Sequence, residues 1–144
     1  MTTWVLDASA VLRYTDKEPG HKRVRELLKQ AARGETELLL SAVNWGEIVG
    51  ALYKRAGMMR ARAIAGSLAV LPITVVPVDA PQAEAAAIFK CDFKVPYADA
   101  FAGALTLAHS APLRRATLVT GDFDFKSIPA GTIKIEFLPP KTVV

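Results

Sequence analysis

Four acidic residues occupy places that surface acids seldom share. Asp7 closes the short apolar run TWVLD, Glu47 lies six residues beyond the apolar run TELLLS, Asp99 comes three residues after Pro96, and Asp122 directly follows LVTG with Asp124 two residues on. Each has a structural role open to it alone, since a carboxylate in the first turn of a helix is favoured by the macrodipole and one in a turn bonds its own backbone. Together they are harder to explain. Four carboxylates converging in one crevice repel one another and raise each other's pKa unless a cation sits among them. A ligand set of carboxylate oxygens, with no histidine or cysteine at ligand spacing, suits Mg²⁺, with Mn²⁺ as a substitute. A metal held in this way activates water and stabilises the charge that develops on a phosphodiester during in-line attack.

The elements around these acids explain why they should converge. TWVLD is short and apolar enough for a buried strand, and ASAVL after it reads as a turn. Val24, Leu27, Leu28 and Ala31 recur at helical spacing until Gly34. TELLLS is a second strand. Trp45, Ile48, Val49, Leu52 and Ala56 then form a helical stripe with Glu47 beside it, and a second helix is expected from Met58 to Leu71 before Pro72 stops it. ITVVPV is β-branched enough for a third strand, which Pro77 assigns to a sheet edge. Asp79 can cap a helix through AEAAAIFK, Pro96 introduces another from about Ala98 to Ala108, ATLVT is a fourth strand and IKIEF a fifth. Strands alternating with helices imply a three-layer α/β/α sandwich with a mostly parallel central sheet of four or five strands. In such sheets the functional crevice lies at the carboxyl ends of the strands, where Asp7 and Asp122 stand. Asp99 begins its helix with Gly103 and Thr106 following at i+4 and i+7, a small and partly polar face.

The 144 residues suit one domain, spanning 1–144, and at 51% apolar against 22% charged the chain is too hydrophobic for disorder. The longest apolar run contains Pro72 and Pro77 and is too short to cross a bilayer, so no membrane segment is expected. The lone Cys91 cannot pair within the chain. A reducing cytoplasm and a buried structural thiol are therefore the expectations for it. The net charge is +4, and setting aside the four acids, the 18 bases outnumber the remaining ten acids by eight. Seven of those bases fall between Arg13 and Arg33 and four between Lys54 and Arg62, so a basic rim surrounds an acidic centre and would attract a phosphate backbone. The helix from Lys22 to Arg33 serves equally as a solvated face. Arg114 and Arg115 suit RNA contact or a solvated loop. Trp4 and Trp45 suit core packing, His21 and His109 helix ends, and Phe123 and Phe125 anchors that hold their loop in the core.

The segments VLDASA, SAVNWGEI, YADAFAGALTLA and LVTGDFDF, in that order over nearly the whole chain, resemble the signature segments of PIN-domain ribonucleases, especially the VapC-type toxins of toxin–antitoxin pairs. The resemblance implies that Asp7, Glu47, Asp99 and Asp122 form the metal-binding and catalytic quartet, with Ser9 and Thr120 as supporting hydroxyls. Asp122 is the preferred direct ligand and Asp124 a supporting or alternative one. It further implies a Mg²⁺-dependent endoribonuclease, a homodimer, and silencing by a cognate antitoxin, for which the alanine-rich helical surfaces Arg60 to Leu71 and Glu84 to Phe89 offer apolar faces. A haloacid-dehalogenase phosphatase needs a second aspartate where Ser9 stands, and a phosphoacceptor receiver domain needs its aspartate after a middle strand. A catalytically silent RNA- or protein-binding scaffold of the same fold is the alternative, against which all four acid positions are filled.

Overall fold

The computed structural model describes residues 1–113 and 115–141. Five strands, β1 (Thr2–Leu6), β2 (Thr36–Ser41), β3 (Thr74–Val76), β4 (Thr117–Thr120) and β5 (Lys134–Phe137), form one sheet in the order β3-β2-β1-β4-β5. Every neighbouring pair is parallel, with Trp4 opposite Leu38 on one side of β1 and Thr117 on the other. The short β3 lies at an edge, as Pro77 requires.

The strands bury both faces, and alternate residues divide them. Leu6, Leu38, Leu40 and Val119 join a core with α1 (Ala8–Thr15), α2 (His21–Ala32) and α3 (Ala42–Ala69), whereas Val5, Leu39 and Leu118 join a second core with α4 (Ala80–Phe93) and α5 (Tyr97–Ala108). The result is the three-layer sandwich. From β1 the chain winds outward through α1 and α2 to β2 and through α3 to β3, then returns over the opposite face through α4 and α5 to β4. The direction of winding therefore reverses between β1 and β4. That reversal leaves a crevice at their carboxyl ends.

Three local expectations need correction. Residues 8–15 form a helix, not a turn, because Asp7 caps them by accepting a hydrogen bond from the Ala10 amide at 2.9 Å. Cys91 is exposed, since α4 buries Ala86 and Phe89 and Cys91 lies off that face. Phe125 is fully buried but Phe123 is partly exposed, because Phe123–Ser127 is a turn of 3₁₀ helix and residues two apart do not share its face. The two helices expected on either side of Gly57 are present as α3, broken where Gly57 adopts φ 82°, ψ 175°. Trp4 and Trp45 pack against the first core, His21 opens α2, His109 caps α5, and Asp79 caps α4 through the Gln82 amide. Arg115 is exposed, and Arg114 lies outside the described residues.

The interface between α4 and α5 sets where Asp99 sits. Its closest point is Gly103, where an added Cβ would land on the ring of Phe89, itself 2% exposed and hemmed in by the second core. The small face after Asp99 is therefore a packing surface. Thr106, buried beside it, donates its hydroxyl proton to the Ala102 carbonyl at 2.8 Å. Gly103→Ala is expected to cost about 1–3 kcal/mol by overpacking. A thermal melt within a degree of wild type would show that the Phe89 ring has room to move.

Candidate active site

The site begins with Asp7, which ends β1 and is 2% exposed. Its Oδ1 accepts from the Ala10 amide and from the Ser9 hydroxyl at 2.6 Å, and its Oδ2 accepts from the Thr120 hydroxyl at 2.5 Å. Both hydroxyls work in two directions. Ser9 Oγ accepts the Gly121 amide at 2.8 Å and Thr120 Oγ1 accepts the Asp122 amide at 2.9 Å. Two side chains thus sew the end of β1 to the turn that follows β4, and that turn carries Asp122. Burial nevertheless pushes the Asp7 carboxyl up to about 6, against the lowering effect of its hydrogen bonds from Ser9, Thr120 and Ala10.

Asp99 enters from the first turn of α5 on the opposite layer. Its Oδ2 is buried and has no hydrogen-bond partner. Burial first, then the hydrogen-bonding proximity of Asp122 and the charges of Asp122, Asp7 and Glu47, raise its pKa to about 8. Asp122 caps the 3₁₀ helix by accepting from the Asp124 amide at 2.9 Å. One carboxylate oxygen from each of Asp99, Asp122 and Asp124 lies within 4.8 Å of the others. Asp7 and Glu47 are not in that tight trio. They face Asp99 through their charge.

Glu47 is held by a residue that sequence reasoning passed over. Asn44, completely buried near the start of α3, donates from Nδ2 to Glu47 Oε1 at 2.8 Å and to the Ala98 carbonyl at 3.1 Å. One amide group thereby ties α3 to the first turn of α5. Its position three residues before Glu47 in SAVNWGEI was the available signal, since that spacing lets two helical side chains meet. Arg13 is the other omission. It is 3% exposed, donates to the Pro19 and Pro139 carbonyls at 2.6 Å each and more weakly to Gly121 at 3.4 Å, and backs the turn before Asp122 so closely that a Cβ at Gly121 would sit 2.8 Å from its guanidinium. No sequence periodicity marks a buried arginine.

The site fits a divalent cation. An unpartnered buried carboxylate oxygen, raised carboxyl pKa values and three ligand atoms of one hard type are what a small oxygen-seeking ion would resolve. Asp99, Asp122 and Asp124 have the spacing to hold it, with Asp7 and Glu47 adding charge from either side.

An open parallel sheet with carboxylates gathered at its winding reversal defines the class of fold and site. A model of the PIN domain matches residues 4–131, and the chain belongs to the PIN domain family. Similar solved structures include VapBC2 from Rickettsia felis bound to a DNA fragment from their promoter, with a TM-score of 0.69 and 14% identity over 96% of this chain and 100% of that one. DNA-bound VapBC from Salmonella typhimurium gives 0.69 and 17%, covering 95% and 98%. VapC20 of Mycobacterium tuberculosis, a sarcin-ricin loop cleaving toxin, gives 0.63 and 18%, covering 88% and 94%. At these identities the likeness is one of fold. No curated protein sequence gives a significant match.

The raised carboxyls make stability depend on pH in a defined direction. A folded-state pKa above the ordinary 3.8 means that the fold binds the proton more tightly than the open chain does. Metal-free stability is then complete below about pH 4 and falls as pH rises through about 6 for Asp7 and about 8 for Asp99. Asp99→Asn removes the larger penalty. After discounting for solvent screening, it should stabilise the chelated protein at pH 8 by roughly 2 kcal/mol, or about 5 °C in midpoint, and change little at pH 4. Asp7→Asn should gain less, because that carboxylate accepts three hydrogen bonds. An Asp99→Asn protein that melts no higher than wild type at pH 8 would sink the electrostatic account.

Proposed function

We propose that the chain is a Mg²⁺-dependent endoribonuclease acting as the toxin of a toxin–antitoxin pair. The observation that carries this reading is the Asp99 oxygen, buried without a partner among carboxylates from β1, α3 and the β4 turn. A scaffold without chemistry has no need to hold four acids in mutual repulsion. Mn²⁺ fits the same oxygen set. Bound there, the metal would supply an activated water and charge stabilisation at a phosphodiester.

The chain's own residues have separate tasks. Asp99 and Asp122 present carboxylate oxygens within reach of one ion, and Asp124 stands beside them on the 3₁₀ helix. Ser9 and Thr120 hold Asp7 in a single rotamer, and Asn44 does the same for Glu47. The chain's net charge of +4 would favour approach of a phosphate backbone. RNA is the substrate class that the likeness to VapC20 supports.

The likeness to the VapBC structures supports a cognate antitoxin as partner, and a homodimer is the further assembly proposed. Exposed apolar side chains offer surface for docking, with Met58 and Met59 beside the Gly57 break 51% and 88% exposed and Ile88 on α4 62% exposed. Among the described residues no helix is long and apolar enough to cross a membrane. The single free cysteine supports the cytoplasmic location proposed for the protein.

Purified protein given structured or single-stranded RNA should cut it in Mg²⁺ or Mn²⁺ and stop in EDTA. Asp99→Asn should lose at least ~10²-fold in rate, the scale seen when one transition-state contact is removed. Unchanged cutting by that variant would remove Asp99 from the mechanism, and absence of cutting by wild type with either metal would favour the silent scaffold.

A further inference from the structure

A cavity of about 640 Å³ opens beside the acids, and Asp124 lines both. Its other walls are the C-terminal end of α4 and the 3₁₀ helix, which bring Lys90, Cys91, Lys94 and Ser127 to its surface. Lys90 and Lys94 are exposed, and neither forms an ion pair among the described residues. The Ser127 hydroxyl is already used, at 3.2 Å from the Phe93 carbonyl and 3.0 Å from that of Asp124. Lys126 close by is also engaged, its ammonium 4.7 Å from the centre of the Phe123 ring. The groups left to meet a ligand in this cavity are two ammoniums. With two ammoniums against the one carboxylate of Asp124, the lining carries a net positive charge.

The backbone of Lys94 adds an independent indication. Lys94 ends α4 in the left-handed conformation, φ 54° and ψ 41°, with its amide donating to the Lys90 carbonyl at 2.8 Å. Glycine is the residue this conformation favours, and a lysine there is strained. The chain then passes through Val95 and Pro96 into α5 and its first-turn Asp99. One turn therefore sets both the lysine and the acid, at a fixed separation.

We propose that this cavity is a subsite for the backbone of single-stranded RNA, in which Lys90 and Lys94 hold phosphates adjoining the one presented to the acids. The proposal rests on the nuclease reading for what lies at the acids, and it gives the bound strand a direction, leaving the centre along the α4 side. Cys91 stands in the wall of the cavity as the chain's single cysteine, so it reports occupancy without engineering.

The test is binding of a fluorescent, mixed-sequence single-stranded RNA in EDTA, where no cutting competes. The double variant Lys90→Ala, Lys94→Ala should bind about tenfold more weakly, and the slope of log affinity against log salt should flatten by about 1.4 for two lost phosphate contacts. Lys134→Glu changes the charge by the same amount at an exposed position that opens β5, the end of the parallel sheet away from the acids, and should change affinity by no more than about twofold. Lys94→Gly should melt at or above the wild-type midpoint and still bind RNA more weakly, separating the side chain's role from the fold. Saturating RNA should slow alkylation of Cys91 several-fold in wild type and not in the Lys90, Lys94 variant. Equal losses in the Lys90, Lys94 variant and in Lys134→Glu, or Cys91 alkylation indifferent to RNA, would overturn the proposal, as would protection of Cys91 by poly-glutamate but not by RNA, which would assign the cavity to an acidic protein segment. Cutting in Mg²⁺ is measured in parallel. Its absence alongside intact binding and protection would fail the nuclease reading and leave the RNA subsite standing.

Discussion

The Asp7 carboxylate, bridged by two hydroxyls to the far side of the sheet's winding reversal, is the interaction on which the rest depends. A parallel sheet aligns strand ends but leaves the loops beyond them free to diverge. Ser9 and Thr120 remove that freedom by giving their protons to Asp7 and taking the amides of Gly121 and Asp122 in return. Once those bonds form, the turn after β4 has one conformation and Asp122 one position. Asp7 also caps α1 through Ala10, so the same group starts the first helix, closes the first strand and orients the last acid.

This arrangement opposes the general rule that buried charge is neutralised by a partner. Asp99 has an oxygen with none, and Arg13, almost completely buried, is met by backbone carbonyls instead of a carboxylate. A salt bridge between a cation of the chain and an acid of the site would be more stable and would occupy the acid. Keeping Arg13 on the far side of Gly121 lets the guanidinium brace the turn while the carboxylates remain available. The fold is thus less stable than it could be at the place where chemistry is done, a common exchange in functional sites.

The large pattern was legible in the sequence because it rests on periodicity. Strand lengths, helix stripes and the edge position announced by Pro77 come from burial on two faces of a parallel sheet. The acids were legible for a related reason, since each sits close to the boundary between one regular element and the next. The features that escaped notice depended on contacts between distant segments. Helix α1 is only eight residues long and owes its start to Asp7, which drew attention as an acid and not as a cap. Asn44 works through Ala98, 54 residues away, and Arg13 through Pro139, 126 residues away, and nothing in local sequence forecasts either pairing. Cys91 misled because thiols are usually buried, whereas the register of α4 is set by Ala86 and Phe89.

The distance along the chain between Asp7 and Thr120 has a consequence during synthesis. Asp7 is synthesised 113 residues before its second hydroxyl partner, Thr120, and the Pro139 carbonyl that steadies Arg13 comes later still. Until Thr120 is available, β1 has no β4 beside it and the crevice has one wall. A nascent or prematurely terminated chain that lacks β4 therefore carries three of the four acids without the turn that gathers them. A chain interrupted before Thr120 has no assembled centre, and synthesis of β4 and the turn after it is the step that lets the carboxylates come together.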